Sequence, residues 1–238
     1  MSAGTTPGGA LRVVAIDGPA GTGKSTVARR VAARLGLAQL DTGAMYRAIA
    51  WAVLRDGVDP TDEVGVASVA AGCVVTLDGD GAEPATVTVD GVDVTRAIRS
   101  KQVTDAVSAV AANPAVRERL RTLQRRWVLD RAGGVLEGRD IGTVVVPDAC
   151  VKIFLTASPE VRAARRAYEA AENDVAVDVT AVAADLARRD HLDSTRTDSP
   201  LRAAEDALTI DTTDLAVDEV VERIAALWAQ RTGEGMQQ

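Results

Sequence analysis

The chain has 238 residues, of which 47% are hydrophobic and 26% are charged, and its formal net charge at pH 7 is −7. That length suits one α/β domain with one or two inserted lobes better than two large domains. The acidic balance argues against a nucleic-acid-binding surface, which needs a basic footprint, and no apolar run approaches the roughly 20 residues of a transmembrane helix.

No feature of the sequence predicts export or a metal cluster. The first residues lack the basic and apolar segments of a signal peptide, and Cys73 and Cys150 lie too far apart for a CxxC motif. We expect two free buried thiols in a cytoplasmic protein with neither a nucleic-acid nor a membrane partner. Only three of the 27 basic residues are lysines. Because a guanidinium presents a planar fork to phosphate, the many arginines favour a small phosphorylated ligand.

The first predicted elements alternate between strand and helix. Residues 12–17 are short and apolar and run directly into glycines, which is typical of a buried parallel strand. Residues 24–35 carry apolar side chains four positions apart and stop at Gly36, which predicts a helix. A second strand near residues 37–40 and a helix over about residues 44–55 continue the alternation.

A different pattern begins at residue 73. Three short segments there alternate like half-buried strands, namely residues 73–77, 85–89 and 92–94. Residues 78–81, with sequence DGDG, predict a turn after the first segment, and Asp90-Gly91 predicts a two-residue hairpin before the last. The segment therefore predicts a small antiparallel sheet inserted into the alternating chain.

Helices and strands alternate again beyond the insert. Helices are predicted over residues 100–112 and 114–131, the second with Asn113 as its N-cap and Pro114 at its first position. The remaining predictions are strands at 135–137, 151–155 and 207–210, a helical stretch over 159–196 and a final helix over 218–230. This order predicts an α/β fold built on a doubly wound parallel sheet of about five strands.

The clearest motif is a phosphate loop between the first strand and the first helix. Residues 18–25 match G-x-x-x-x-G-K-[ST], whose glycines turn backbone N–H groups toward a phosphate at a helix N-terminus. We expect Lys24 to bridge the β- and γ-phosphates and the Ser25 hydroxyl to bind Mg²⁺. The predicted nucleotide contacts are Gly18, Pro19, Ala20, Gly21, Thr22, Gly23, Lys24, Ser25 and Thr26. The motif predicts nucleotide binding without specifying the reaction.

A polar motif, DTGAMYR at residues 41–47, follows the second predicted strand. Thr42 and Arg47 of this motif are candidates for ligand contact, because open α/β sheets bind ligands at their carboxyl edge. A helix N-cap at Asp41 and a solvated helix charge at Arg47 explain the same residues equally well.

A second polar motif, EGRD at residues 137–140, follows the next predicted strand of the core and is expected to lie near the phosphate loop. Burying Arg139 and Asp140 without partners would cost too much. Either contact with a ligand or mutual pairing must therefore account for them.

The ordered set of motifs resembles the bacterial cytidylate kinases from about Val13 to Ala229. The segments that carry the resemblance are GPAGTGKST, LDTGAMYR, VTRAIRS, VSAVAANPAVRERL, EGRDIGTVVVPDA, VKIFLTASPEVRAARR, RRDHLDSTR and DALTIDTT. The resemblance implies a monomeric enzyme of pyrimidine nucleotide metabolism that uses ATP and Mg²⁺ to phosphorylate CMP, and dCMP, to the diphosphate.

The resemblance also implies how the chain is divided. A kinase domain is expected over residues 12–231, between flexible tails at 1–11 and 232–238. Its parts are a core at about 12–66, 114–161 and 197–231, a monophosphate-binding insert at about 67–113, and a lid at about 162–196.

Roles for individual residues follow from the same resemblance. Those expected around the CMP phosphate are Thr42, Arg47, Arg139 and Arg196. Those expected at the cytosine edge are Ser108, Arg117 and Asp140, while Arg189 and Asp193 are expected to reach the ribose. The groups expected to neutralise charge during transfer are Lys24, Arg139, Arg162 and Arg166.

Some of these residues also have a purely structural explanation. Arg117 shares a helical face with Arg121, so a solvated arginine stripe explains it equally well. Exposed salt-bridged helices are the alternative for Arg162, Arg165 and Arg166. His191 and Leu192 occupy lid positions that are often charged in the family, which leaves their role open.

Two other functions remain open. One is a kinase for a different small acceptor, which a panel of acceptors would reveal. The other is a non-enzymatic nucleotide switch, although the sequence contains no Asn-Lys-x-Asp string for reading guanine. Because a CMP phosphate oxygen is already anionic, the transfer requires no strong base, and His191 receives no catalytic role.

Overall fold

The computed structural model describes residues 11–79, 85–171 and 178–233. A central sheet of five parallel strands has the order β2-β6-β1-β7-β8. Its strands are β1 (Leu11–Asp17), β2 (Gln39–Asp41), β6 (Gly134–Gly138), β7 (Ala149–Thr156) and β8 (Leu208–Asp211). The predicted α/β fold with a parallel sheet of about five strands is confirmed.

Eight α-helices surround the strands within the described ranges. They are α1 (Lys24–Leu35), α2 (Thr42–Arg55), α3 (Glu63–Gly72), α4 (Lys101–Ala112), α5 (Pro114–Arg131), α6 (Pro159–Ala171), α7 (Val179–Thr195) and α8 (Val217–Thr232). None of them combines the length and apolar character needed to cross a membrane.

Both faces of the central sheet are buried. In β1, Val13 and Ala15 join a core shared with α2, α4 and α5, whereas Val14 and Ile16 join a core shared with α1 and α8. Successive strand residues point to opposite faces, so a sheet covered on both sides requires an unbroken apolar run. That requirement explains why β1 lacks alternation in its sequence. Cys73 and Cys150, in opposite cores, are buried free thiols as expected.

The predicted insert forms a second, antiparallel sheet of order β3-β4-β5, made of Val75–Asp78, Thr86–Val89 and Val92–Asp93. Asp90 and Gly91 have φ values of 52° and 80°, the left-handed backbone expected of a two-residue hairpin. Asp90 also accepts a hydrogen bond from the Val74 N–H at 2.8 Å and pairs with Arg55 of α2 at 2.8 Å. This aspartate therefore fastens the small sheet to the core. Residues 80–81 of the predicted DGDG turn lie outside the described residues.

Several predicted boundaries were wrong. Leu11 belongs to β1, and buried Thr232 belongs to α8, whose C-cap is Gly233, whereas residues 1–10 and 234–238 of the predicted tails lie outside the described ranges. The helical stretch at 159–196 is two helices, α6 and α7, with residues 172–177 of the lid also outside those ranges. Helix α3 was not predicted, and Asp62 caps it by accepting N–H bonds from Val64 and Gly65 at 3.1 Å each.

Two local features lie next to the site, namely the N-cap of α5 and a helical turn after β6. Asn113 caps α5 as predicted, accepting the Ala115 N–H at 3.0 Å, while its amide donates to the Glu63 carbonyl at 2.9 Å. After β6, the chain makes one turn of π-helix over Ile141–Val145 before β7. The carboxyl ends of β1, β2 and β6 therefore meet around a single edge of the sheet.

Candidate functional site

The predicted phosphate loop connects the end of β1 to the start of α1. Gly18, Gly21 and Gly23 have φ values of 147°, 78° and 85°, which side chains rarely tolerate. A Cβ atom on Gly18 would lie 2.2 Å from the carbonyl oxygen of Leu155 in β7. The loop therefore needs glycine both for its backbone conformation and for its close packing, and such turns form concave anion sites.

Lys24 lies at this loop, and no carboxylate of the described residues forms a hydrogen bond with it. Its Nζ donates to the Pro19 carbonyl at 2.6 Å, and that carbonyl also accepts from the Thr22 hydroxyl at 3.1 Å. Burial and the positive charge of Arg139 lower the pKa of Lys24 to about 7, against the opposing effect of Glu137. An anion in the loop would stabilise the charged form of this lysine.

Ser25 and Glu137 form a pair of oxygen ligands beside the loop. The Ser25 hydroxyl donates to Glu137 Oε2 at 2.8 Å, and Gln39 Nε2 donates to Oε1 at 2.9 Å. Burial and the negative charge of nearby Asp41 raise the pKa of Glu137 to about 8. The positive charges around Glu137 therefore do not fully stabilise its ionised form, and a bound cation would add to them. A hydroxyl beside a carboxylate fits Mg²⁺, which prefers oxygen ligands.

Ser25 was predicted from the sequence as a metal ligand, whereas Glu137 was not. Its position at the carboxyl end of a strand next to β1 was the available signal. Within the described ranges, no three His, Cys, Asp or Glu side chains form a cluster that could hold a metal ion. The pair is better suited to a metal that also has phosphate ligands.

A group of arginines forms a second cationic region next to the loop. Arg47 in α2 donates to the Ile98 carbonyl at 2.9 Å and to the Thr104 hydroxyl at 3.0 Å, so it is not a solvated charge. Burial, followed by the charges of Arg189 and Arg166, lowers the pKa of Arg47 to about 9. Asp41 does cap α2, accepting the Ala44 N–H at 3.0 Å.

Arg189 in α7 has the fewest hydrogen-bond partners of these arginines among the described residues. It donates no hydrogen bond within the described residues, and its buried Nε has no partner there. Burial, followed by the charge of Arg139, lowers the pKa of Arg189 to about 10. Because Arg189 repels Arg47 and is itself repelled by Arg139 and Arg166, this region is a candidate anion site.

The end of α7 brings Asp193 and Arg196 to the loop after β6. Arg139 donates through Nε to Asp193 Oδ2 at 2.8 Å, and Arg196 Nη1 lies 3.4 Å from Asp193 Oδ1. Arg139 thus pairs with Asp193, and the interpretation that it pairs with Asp140 is wrong. The carboxylate of Asp193 holds two of the predicted phosphate-binding arginines side by side.

Arg117 and Asp140 form a buried ion pair. Arg117 Nη2 donates to Asp140 Oδ2 at 2.6 Å, with the two side chains 2% and 6% exposed, so the solvated-stripe interpretation of Arg117 is wrong. The Arg117 guanidinium also lies 5.5 Å from the centre of the Tyr46 ring. Two residues that follow α7 lie next to the pair, with Asp198 Oδ2 at 3.8 Å from Arg117 Nε and Arg196 Nη2 at 3.9 Å from Asp140 Oδ1.

The remaining predicted residues differ in their surroundings. The Thr42 hydroxyl already donates to the Glu137 carbonyl at 2.6 Å. Ser108 is half-buried in α4 and makes no hydrogen bond among the described residues. Arg162 reaches the phosphate loop, donating to the Ala20 carbonyl at 3.2 Å, and also pairs with Asp190.

Of the three lid arginines, one forms an exposed salt bridge within its own helix. Arg166 forms such a pair with Glu169 at 2.7 Å. Arg165 instead donates to the Thr212 carbonyl at 2.7 Å, and Arg162 contacts the loop. His191 and Leu192 are exposed on α7.

Two anion sites therefore adjoin on one edge of a parallel sheet, and the first is a glycine-rich loop with its lysine and magnesium-compatible hydroxyl. That arrangement defines a P-loop phosphotransferase of the kind that transfers a phosphoryl group from a nucleotide to a second phosphorylated ligand.

Comparison with known proteins narrows this class. The family model described as cytidylate kinase matches residues 14–230. The cytidylate kinase of Rhodococcus jostii (strain RHA1) is 52% identical over 225 residues, covering 94% of this chain and 97% of the relative. That of Mycobacterium leprae (strain Br4923) is 52% identical over 221 residues, covering 93% and 97%. The chain belongs to the cytidylate kinase family, which confirms the resemblance.

A solved structure of another kinase shows a distant likeness to this chain. The shikimate kinase from Acinetobacter baumannii in complex with shikimate is 18% identical, covers 94% of this chain and 96% of its own, and has a TM-score of 0.47.

Proposed function

We propose that this chain transfers the γ-phosphate of ATP to the phosphate of CMP, and of dCMP, producing ADP and CDP or dCDP. Family membership over residues 14–230 supports the choice of substrate. The observation that carries the proposal is the position of Arg139 between the two anion sites. Its charge lowers the pKa of Lys24 in the phosphate loop and that of Arg189 in the arginine group.

On the nucleotide side, residues 18–26 would wrap the phosphates of ATP. Lys24 would leave the Pro19 carbonyl and bridge the β- and γ-phosphates, and Ser25 with Glu137 would hold Mg²⁺. When bound, the metal supplies positive charge to the β- and γ-phosphate oxygens. The lowered pKa of Lys24 and the raised pKa of Glu137 both favour this exchange of partners.

On the acceptor side, the same residues that the resemblance implied take CMP. The proposed phosphate ligands are Thr42, Arg47, Arg139 and Arg196, the proposed ribose ligands are Arg189 and Asp193, and the proposed base ligands are Ser108, Arg117 and Asp140. Because Arg196 and Asp198 lie next to the Arg117–Asp140 pair, a base that binds there would lie beside these two residues.

The reaction forms a bond from a CMP phosphate oxygen to the γ-phosphorus and breaks the bond from that phosphorus to the β,γ-bridging oxygen. The electron pair of the broken bond stays with ADP. The attacking oxygen is anionic near neutral pH, so the protein mainly aligns the two phosphates and neutralises charge. The residues proposed for neutralisation are Lys24, Arg139, Arg162 and Arg166.

We propose that three parts of the chain have different roles in the reaction. Residues 67–113 would close on CMP, residues 162–196 would act as a lid, and the remainder would form the core. The contact of Arg162 with the Ala20 carbonyl supports a lid that meets the phosphate loop, and closure would exclude water. We further propose a cytoplasmic monomer without nucleic-acid or membrane partners, which suits small diffusible substrates and a net charge of −7.

A panel of acceptors tests the proposed function. ADP formation is measured with ATP and Mg²⁺ while CMP, dCMP, UMP and AMP are offered separately. CMP and dCMP are expected to give the highest kcat/KM, since cytosine presents an amino donor for Asp140 beside two acceptors, N3 and O2, for Arg117 and Ser108. Uracil lacks the amino donor, and adenine has no carbonyl oxygen and is a larger base. A clear preference for AMP, UMP or a non-nucleotide acceptor would contradict the proposal, and ATP binding without transfer would indicate a nucleotide switch.

Arg189 provides a test of the acceptor site by thermal unfolding. Arg189→Gln removes a cation that repels Arg47 and Arg139, so the melting temperature of the ligand-free protein is expected to stay the same or rise. CMP affinity is expected to fall about tenfold, so the stabilisation by CMP falls by about 1.4 kcal/mol at saturation. Arg188→Gln is the control, because Arg188 is exposed and pairs only with Asp185 at 3.3 Å among the described residues. If CMP stabilises the two variants equally, Arg189 is not part of the CMP site.

A further inference from the structure

The turn of π-helix at Ile141–Val145 follows Asp140 directly and is fastened at its start by Asp17. Asp17 is the last residue of β1 and is buried. Its Oδ1 accepts the Ile141 N–H and its Oδ2 accepts the Gly142 N–H, both at 2.8 Å. The first N–H groups of a helical turn have no partner within the turn, so one carboxylate satisfies two of them.

The other end of the turn is held by Arg125 from α5. Its Nε donates to the Val145 carbonyl at 2.9 Å and its Nη2 donates to the Val144 carbonyl at 2.8 Å. The last carbonyls of a helical turn also lack internal partners. The planar fork of the guanidinium suits two neighbouring acceptors.

The backbone of Asp140 is part of the same turn. Its carbonyl accepts the N–H groups of Val144 and Val145 at 2.9 and 3.1 Å, and Ile141 and Val145 anchor the turn in the core. π-Helical turns are rare in proteins, and those that occur are frequently found at functional sites. A change at either end would therefore move the residue that pairs with Arg117.

We propose that Asp17 and Arg125 are positioning residues that select the acceptor by holding Asp140 in place. Neither side chain needs to touch CMP, because each acts through the backbone of the turn. The inference rests on the proposed function, in which Asp140 and Arg117 read the cytosine edge. It adds two residues from separate elements, β1 and α5, to the determinants of acceptor choice.

The test compares Arg125→Gln with Arg126→Gln. Arg126 is the next residue of α5, and its side chain is 78% exposed with Asp130 at 3.7 Å, so the control removes the same charge without touching the turn. Arg125→Gln is expected to raise the KM for CMP about tenfold and to leave the KM for ATP unchanged. The ratio of kcat/KM for CMP to kcat/KM for UMP is expected to fall. Arg126→Gln is expected to match the wild type, and Arg125→Lys, which keeps one donor group, should fall between them.

Two outcomes would overturn the inference. One is an unchanged KM and ratio in Arg125→Gln. The other is a lower melting temperature with an equal loss of activity on both acceptors, which is the result expected of a purely structural arginine. Asp17→Asn tests the opposite end, because its amide keeps one acceptor and presents a donor to the second N–H. The same CMP-specific loss is expected there, and an ATP-specific loss would contradict the proposal.

The wild-type panel separates this inference from the proposed function. If the wild type prefers another acceptor, the function is wrong, and the same comparison is made with the KM for that acceptor. If the wild type prefers CMP and Arg125→Gln behaves like Arg126→Gln, only the positioning role is wrong.

Discussion

Lys24→Ala is expected to lower turnover by about 10³-fold or more while the protein stays folded. Lys24 is buried at the phosphate loop, and its only hydrogen bond among the described residues is to the Pro19 carbonyl. Removing it takes a mobile positive charge away from the migrating phosphoryl group. The measurement is kcat with saturating ATP and CMP.

The same substitution should not destabilise the fold near pH 7. The folded-state pKa of Lys24, about 7, lies below its ordinary value of 10.5, so the unfolded state binds more protons between these values. A lysine with this shift lowers stability below about pH 7, and that cost is lost as the pH rises toward 10.5. The free energy of unfolding of Lys24→Ala at pH 7 is therefore expected to match or exceed that of the wild type.

Lys101→Ala is the matched control for this prediction. Lys101 is 84% exposed and pairs with Asp105 at 2.7 Å within α4. Its loss should change turnover by less than twofold, since exposed i,i+4 pairs contribute only about 0.3–0.5 kcal/mol. If Lys24→Ala retains near-normal turnover, the assignment of the phosphate loop is wrong.

Asp140→Asn is expected to lower kcat/KM for CMP on the order of 100-fold and to narrow the gap between CMP and UMP. The Asp140 carboxylate accepts from the cytosine amino group in the proposed complex, whereas uracil presents a carbonyl oxygen at that position. An asparagine offers both a donor and an acceptor, so it opposes uracil less and holds cytosine less well. The ratio of kcat/KM for the two acceptors is the deciding measurement.

The buried pair with Arg117 supplies the competing explanation. If Asp140 only orients Arg117, both acceptors lose activity in equal proportion and the ratio stays constant. Asp198→Asn is the control, because Asp198 also lies beside Arg117, at 3.8 Å, but is 32% exposed. A ratio that changes in Asp140→Asn and not in Asp198→Asn identifies the base reader, and an unchanged ratio in both contradicts that role.

Local patterns were sufficient to predict the scaffold of the site. The phosphate loop depends on neighbours in sequence, because its glycines, lysine and serine lie within eight positions of one strand-to-helix connection. Helix α5 was predicted at its observed ends for the same reason, since Asn113 and Pro114 define its start. Helix α3 was missed because its apolar residues surround the helix instead of forming one stripe, and only Val66 and Ala70 are buried.

The partners of the charged residues could not be predicted from local patterns. Arg139 bonds to Asp193, 54 positions away, and Arg117 bonds to Asp140 across two elements. These pairings depend on how α5 and α7 pack at the sheet edge, for which spacing along the chain gives no signal. The burial of Glu137 beside Ser25 likewise appears only when β6 lies next to β1.

The repulsion among Arg47, Arg139, Arg166 and Arg189 has a consequence for the lifetime of the protein in a cell. An unliganded fold that keeps like charges together gives up part of its free energy of unfolding, and a bound anion restores it. Because degradation follows the population of opened molecules, the idle enzyme is the form most exposed to proteases. Added CMP is therefore expected to slow digestion of this chain by a protease, and an equal rate of digestion with and without CMP would contradict that consequence.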